Sequence, residues 1–252
     1  MAILRFLWAL YAAKSVLAAT CDTSIIRHEG KTIGEEITYE NLTIYVSEAK
    51  KSTTTAVLYL TDVFGIQLPE NKLLADSFAR AGYLTITPDL FAGEPAPADL
   101  NEPGWSLDDF LAANGEEVID GRIATAVKYA KEELGIEKFG VTGYCFGGRY
   151  AFRAGGDALF AAHPSMLGDE DIAGAAGVPV SIAAAETDSL LSPERRAEIE
   201  TLLRNSGSAY QLSLYSGTSH GFAVRANVSD PQQKFGKESA FLQAVRWFDT
   251  LL

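Results

Sequence analysis

Short apolar runs alternate with helical repeats along most of the chain. Ala56-Val57-Leu58-Tyr59-Leu60 is unbroken apolar sequence, as a strand covered on both faces requires. Pro69 to Ala81 then sets Leu73, Leu74 and Phe78 on one face, with proline at its start and Gly82 at its end, and predicts a helix. Tyr83 to Thr87 reads as the next buried strand, closed by Pro88. Glu116 to Leu134 repeats Val118, Ile119, Ile123, Val127, Ala130 and Leu134 at helical spacing. Further strands are predicted at Phe139 to Thr142, Ala158 to Ala162, Val178 to Ala185 and Gln211 to Tyr215. Helices are predicted from Phe146, from the Ser192-Pro193-Glu194 cap, and from about Lys234 to Leu252. Glu36 to Val46 alternates apolar with polar and predicts a peripheral hairpin or edge strands. Ala92 to Gly104 holds Gly93, Pro95, Pro97, Pro103 and Gly104, a loop long enough to suggest function or mobility.

Strands alternating with helices from Ala56 to the C-terminus predict an α/β protein: a mostly parallel central sheet with helices on both faces. Such sheets carry their active residues in loops beyond the carboxyl ends of the strands. At 252 residues, with no linker, repeat or low-complexity segment, residues 20–252 are expected to form one domain. Residues 1–19 carry Arg5, the apolar run Phe6 to Ala13 and the small residues Ala18-Ala19. They read as a signal peptide or an N-terminal extension, with Lys14 interrupting the apolar core. A cytoplasmic location is favoured, and secretion follows if that segment acts as a signal. The sequons Asn41-Leu42-Thr43 and Asn227-Val228-Ser229 would matter only then.

The net charge of −12 argues against nucleic acid and against anionic membrane surfaces, both of which select basic patches. The two cysteines, Cys21 and Cys145, exclude a disulfide framework. No zinc-type spacing and no phosphate loop of the G-x-x-x-x-G-K type is present, so neither a metal nor an organic cofactor is expected.

Candidate chemistry centres on Gly143-Tyr144-Cys145-Phe146-Gly147, a G-x-C-x-G nucleophile elbow with cysteine in place of serine. Gly143 and Gly147 leave room where a strand turns sharply into a helix. The helix N-terminus favours a thiolate through its dipole and free N–H groups. Taken alone, a buried cysteine is a small hydrophobe. A cysteine nucleophile needs a base, and the base an orienting carboxylate. Asp188 follows the strand ending at Ala185, and His220 follows the last strand. Alone, each has an ordinary reading, turn chemistry for the aspartate and a surface or capping role for the histidine. Together, Cys145, Asp188 and His220 fall in the chain order nucleophile, acid, histidine, each beyond a predicted strand end.

These motifs, with Arg27-His28-Glu29-Gly30, Asp62-Val63-Phe64-Gly65, Pro88-Asp89-Leu90, His163-Pro164-Ser165 and His220-Gly221-Phe222, resemble the dienelactone hydrolase family, in particular its fungal branch, from about Cys21 onward. The resemblance implies an α/β-hydrolase fold and hydrolysis of a small ester or lactone without cofactor, by a monomer or homodimer. It assigns attack to Cys145, proton transfer to His220 and orientation to Asp188. The backbone N–H groups of Val63 and Phe146 would form the oxyanion hole. Bacterial members carry glutamate at the place of Asp62, where it holds the thiol; Asp62 is one methylene shorter. They also carry two arginines that bind the substrate carboxylate. Arg225 matches one; Gly93 stands where the other is expected, which points to a larger or less acidic ligand.

Trp105, Phe91, Phe222 and His163 are candidate pocket residues, each with a competing packing role; for His163 the favoured alternative is a structural hydrogen bond. Arg149 and Arg153 are expected to pair with carboxylates or lie at the surface. Two further readings stay open: a hydrolase or thioesterase acting on a fungal secondary metabolite such as a polyketide, and a non-catalytic binding or thiol-sensing protein on the same fold.

Overall fold

The chain folds around one eight-stranded sheet, seen in a computed structural model that describes residues 23–252. The segment 1–19 and Cys21 lie outside the described residues. The strands are β1 (Glu35–Tyr39), β2 (Leu42–Ser47), β3 (Thr55–Leu60), β4 (Leu84–Pro88), β5 (Lys138–Tyr144), β6 (Ala158–Ala162), β7 (Val180–Thr187) and β8 (Tyr210–Ser219). The helices are α1 (Pro69–Ala81), α2 (Leu107–Ala113), α3 (Glu116–Leu134), α4 (Phe146–Arg153), α5 (Asp169–Gly174), α6 (Pro193–Ser206), α7 (Phe222–Arg225) and α8 (Pro231–Leu251).

Spatial order is β1-β2-β4-β3-β5-β6-β7-β8. The β1–β2 and β2–β4 pairs are antiparallel, and every pair from β4 to β8 is parallel. The alternating segment is a hairpin. Its two-residue turn, Glu40-Asn41, has positive φ at both positions, the backbone that matches strand twist. The apolar run of β3 is buried throughout and splits by side-chain alternation. Ala56, Leu58 and Leu60 join the core under α3, α4 and α6, whereas Val57 and Tyr59 join the core under α1 and α8. The sheet is therefore covered on both faces, as its sequence requires.

The short helices α2, α5 and α7 carry too few turns for a visible repeat and were not predicted. β8 runs to Ser219, beyond the predicted Tyr215, because its partly exposed edge lacks a continuous apolar signal. Arg149 and Arg153 project from α4 and pair with Asp171, Glu116 and Asp120. No described helix is long and apolar enough to cross a membrane.

Candidate active site

Cys145 sits between β5 and α4 at φ 51° and ψ −112°, a conformation an L-residue adopts only when its surroundings impose it. Two glycines make that turn possible. A Cβ on Gly143 would strike the backbone of Gly147, and one on Gly147 would strike Leu60 and Thr61. The tight passage is held by Gly147 N–H donating to Thr61 O at 3.0 Å, and by Gly148 and Ser165 N–H groups both donating to Cys145 O at 3.0 Å.

Three side chains from three strand ends form one line. His220 Nε2 lies 3.0 Å from Cys145 Sγ, and His220 Nδ1 lies 2.9 Å from Asp188 Oδ2. Asp188 is aimed by its own loop, since its Oδ1 accepts from Leu190 N–H at 2.9 Å and Leu191 N–H at 3.2 Å. His220 is tied to the end of β7 through its N–H, which donates to Thr187 O at 3.2 Å. Burial alone would lower the imidazole pKa. Asp188 and Cys145 outweigh it and raise His220 to about 9. The direction of that shift favours the protonated ring beside the sulfur.

Two backbone groups flank the elbow. Phe146 opens α4, where first-turn N–H groups have no acceptor inside the helix. The peptide of Val63 is pinned from the other side, its carbonyl accepting from Ala96 N–H at 2.9 Å. The Gly147–Thr61 bond keeps these two loops in register. Ser165 Oγ, 3.7 Å from Cys145 Sγ, was not singled out in the sequence, although it closes the quoted His163-Pro164-Ser165 motif.

Asp62 is fully buried but makes no hydrogen bond to the thiol. Its Oδ1 accepts from Asn71 Nδ2 at 2.9 Å and from Phe64 N–H at 3.2 Å. Its Oδ2 lies 3.2 Å from Arg225 Nε, near enough for an ion pair though off the line of a hydrogen bond. Burial raises the Asp62 pKa, opposed by Arg225, Asn71, the Phe64 N–H and His220. Asn71 had a readable signal: it is a polar residue on the buried face of α1, in step with Leu74, Ala75 and Phe78.

The remaining candidates divide. Phe91 and Trp105 line a cavity of about 610 Å³ together with Pro95 and Phe110. Arg225 lines a neighbouring cavity of about 260 Å³ with Phe64, Leu68, Pro95 and Ala96. Phe222 is instead core, packed 5.4 Å from Tyr215 and 5.5 Å from His163, because α7 turns it under the sheet edge. The structural hydrogen bond expected of His163 is absent. Both its ring nitrogens are buried without a partner, and the ring stands edge-on to His220 at a centroid distance of 5.0 Å. Burial, then His220 and Arg225, keep its pKa well below the usual value, so it packs as a neutral ring. Among the described residues no group of three or more His, Cys, Asp or Glu is placed to hold a metal ion.

Comparison with known proteins adds to this geometry. A family model described as the dienelactone hydrolase family matches residues 42–252. A hydrolase of Aspergillus violaceofuscus, pyvD, is 38% identical over 230 residues, covering 89% of this chain and 93% of its own. A hydrolase of Talaromyces stipitatus, tropI, is 34% identical, covering 93% of this chain and 97% of its own. The crystal structure of a dienelactone hydrolase from Anabaena variabilis superimposes with a TM-score of 0.62 at 18% identity, covering 89% of this chain and all of that one, a likeness of fold.

Proposed function

The chain belongs to the dienelactone hydrolase family, and on that premise we propose that it hydrolyses an ester or lactone through a thioester formed on Cys145. The observation that carries this reading is the line from Cys145 Sγ through His220 to Asp188, with both contacts at 3.0 Å or less. The Cys145 thiolate attacks the carbonyl carbon. Negative charge moves onto the carbonyl oxygen, where the N–H groups of Val63 and Phe146 serve as donors. Each such donor is worth roughly 3–4 kcal/mol, because it meets charge that is full only in the transition state. Collapse expels the alkoxide, which takes the proton from His220 Nε2. His220, now neutral, accepts a proton from water as the water attacks the thioester. The acid and the thiolate–imidazolium pair are then restored, while Asp188 keeps Nδ1 protonated and the ring in place.

A second reading concerns the substrate. Gly93 stands where the family resemblance places a carboxylate-binding arginine. A Cβ added there would meet nothing within 4 Å. Gly93 is exposed, so it is the missing cation that favours a substrate less acidic than dienelactone, such as a fungal secondary metabolite.

The test is intact mass after brief exposure to activated esters and lactones. The wild type is expected to gain one acyl mass, and Cys145→Ala none. Full activity of Cys145→Ala on its best ester would end the proposal.

A further inference from the structure

Among the described residues, two side-chain hydrogen-bonding groups reach Cys145 Sγ: His220 Nε2 at 3.0 Å and Ser165 Oγ at 3.7 Å, the latter within range of the large sulfur atom. Ser165 is 3% exposed, and its hydroxyl meets no other partner among those residues. It is shielded from water and left to the sulfur. Its position is fixed from several sides. The Ser165 N–H donates to Cys145 O at 3.0 Å, and the Cys145 N–H donates to Ala162 O at 3.2 Å, at the end of β6. The His163 N–H donates to Ala183 O at 2.8 Å, on the neighbouring strand β7. Pro164 lies so close to α4 that a Cβ on Gly148 would strike it. His163 and Met166, on either side, have φ of 38° and 55°, a left-handed course that fixed surroundings impose on such residues. The hydroxyl is thus held by the loop after β6, a different loop from those that carry Asp188 and His220.

We propose that Ser165 is a further catalytic residue of the thioester route, donating its O–H to Cys145 Sγ as the acyl–sulfur bond breaks. The proposal rests on the thioester reading above. In thioester breakdown, water loses a proton to His220 Nε2 and its oxygen bonds to the acyl carbon, while the carbonyl π pair moves to the carbonyl oxygen. When that pair returns, the carbon–sulfur bond breaks, the acid leaves, and the bonding pair stays on Sγ as a thiolate. At that moment His220 Nε2 holds the proton of water and faces its oxygen. The N–H groups of Val63 and Phe146 serve the carbonyl oxygen, and Asp62 makes no hydrogen bond to the sulfur. Ser165 is the donor that remains. Its effect differs between the two half-reactions. In acylation the sulfur gives up charge, so a hydrogen bond to the thiolate favours the ground state. The same bond favours thiolate over thiol before attack, which offsets that loss. In deacylation the sulfur gains charge, so the bond strengthens on the way to the transition state and speeds the step.

The separate rates of acylation and deacylation in Ser165→Ala test this. With 4-nitrophenyl valerate at saturation, the burst of 4-nitrophenol gives the acylation rate. Turnover, divided by the acyl-enzyme fraction read from acid-quenched intact mass, gives the deacylation rate. Ser165→Ala is expected to slow deacylation about tenfold, the worth of one hydrogen bond to a charged group, and to change acylation by less than about threefold. More of the variant than of wild type should therefore stand as thioester at steady state. A general disturbance of the elbow would slow acylation as much as deacylation. That outcome overturns the proposal, as does an unchanged deacylation rate. If Ser165→Ala does not fold, Ser165→Gly removes the same hydroxyl and is read the same way. Wild type that shows neither an acyl mass on Cys145 nor turnover removes the thioester reading and this proposal together. A Cys145 thioester whose breakdown ignores Ser165 removes only this one.

Discussion

Asp62, bound to α1 through Asn71, and Asp76, a residue of α1, are two fully buried carboxylates satisfied in opposite ways. Asp76 stands on α1 beneath the hairpin. Its Oδ1 accepts from Tyr45 OH at 2.8 Å, Ser47 Oγ at 2.5 Å and Gly34 N–H at 3.3 Å, and its Oδ2 from Ile33 N–H at 2.8 Å. Asp62 receives two aligned donors on one oxygen and none on the other. Four donors drawn from residues 33 to 47 make Asp76 a latch that joins the hairpin to α1. The shortfall at Asp62 leaves a charge whose effect reaches Arg225 and His220. A buried carboxylate that is fully hydrogen-bonded holds structure; one left short of donors depends on a cation instead, here Arg225.

The largest separation between the two regions should come from substitutions that remove chemistry and spare the fold. Cys145→Ala is expected to lose about 10⁴-fold or more in kcat/KM, with unfolding free energy within about 1 kcal/mol of wild type by urea titration. Asp76→Ala should do the reverse. Three donors lose their acceptor at once, Gly34 N–H keeping Tyr45 OH, so stability falls by roughly 3–5 kcal/mol while acylation per folded molecule is unchanged. Asp62→Ala should destabilise less, by about 1–2 kcal/mol, since fewer donors are stranded. Equal losses for the two aspartates would dissolve the contrast.

A finer test uses pH. His220 titrates near 9 when folded, above its ordinary value of about 6.5, because Asp188 and Cys145 outweigh burial. Its stabilising contribution is therefore complete below about pH 6.5 and is lost as pH rises from there through about 9. The Tm of wild type should fall across that window relative to Cys145→Ala, which lacks one of the two groups raising the pKa. Parallel Tm curves for the two proteins would show that the sulfur does not take part. The smallest effect concerns the elbow backbone. At φ 51° and ψ −112° a side chain is strained, so Cys145→Gly should be more stable than Cys145→Ala by about 1 kcal/mol, neither having the thiol.

What the sequence reveals follows how local the cause is. The elbow was legible because Gly143 and Gly147 are demanded by a turn only five residues long, whose backbone atoms would collide with any Cβ. The parallel strands were legible because β3, β6 and β7 are buried on both faces and so continuous in apolar character. Asp188 and His220 could be placed by chain order together with their positions just beyond predicted strand ends. The surroundings of Asp62 were not legible, because they depend on Arg225 returning from the far end of the chain and stacking on Phe64. Phe222 reads as a pocket candidate because it flanks His220 in sequence, and His163 because it ends the strand after the elbow. A single helical turn and a residue at φ 38° direct them into packed surroundings instead. Asp76 gave no signal of its role, since its donors come from two separate stretches of chain.

The position of β8 has a consequence for how the molecule fails. The contact of His220 with Asp188 closes 32 residues of chain, and that with Cys145 closes 75. Both depend on β8, the last strand in the sheet, paired on one side only. Edge elements open at lower free energy than the centre of a sheet. The sheet edge that carries His220 should thus open before the centre, and heat should extinguish turnover while the parallel strands β3 to β6 are still intact.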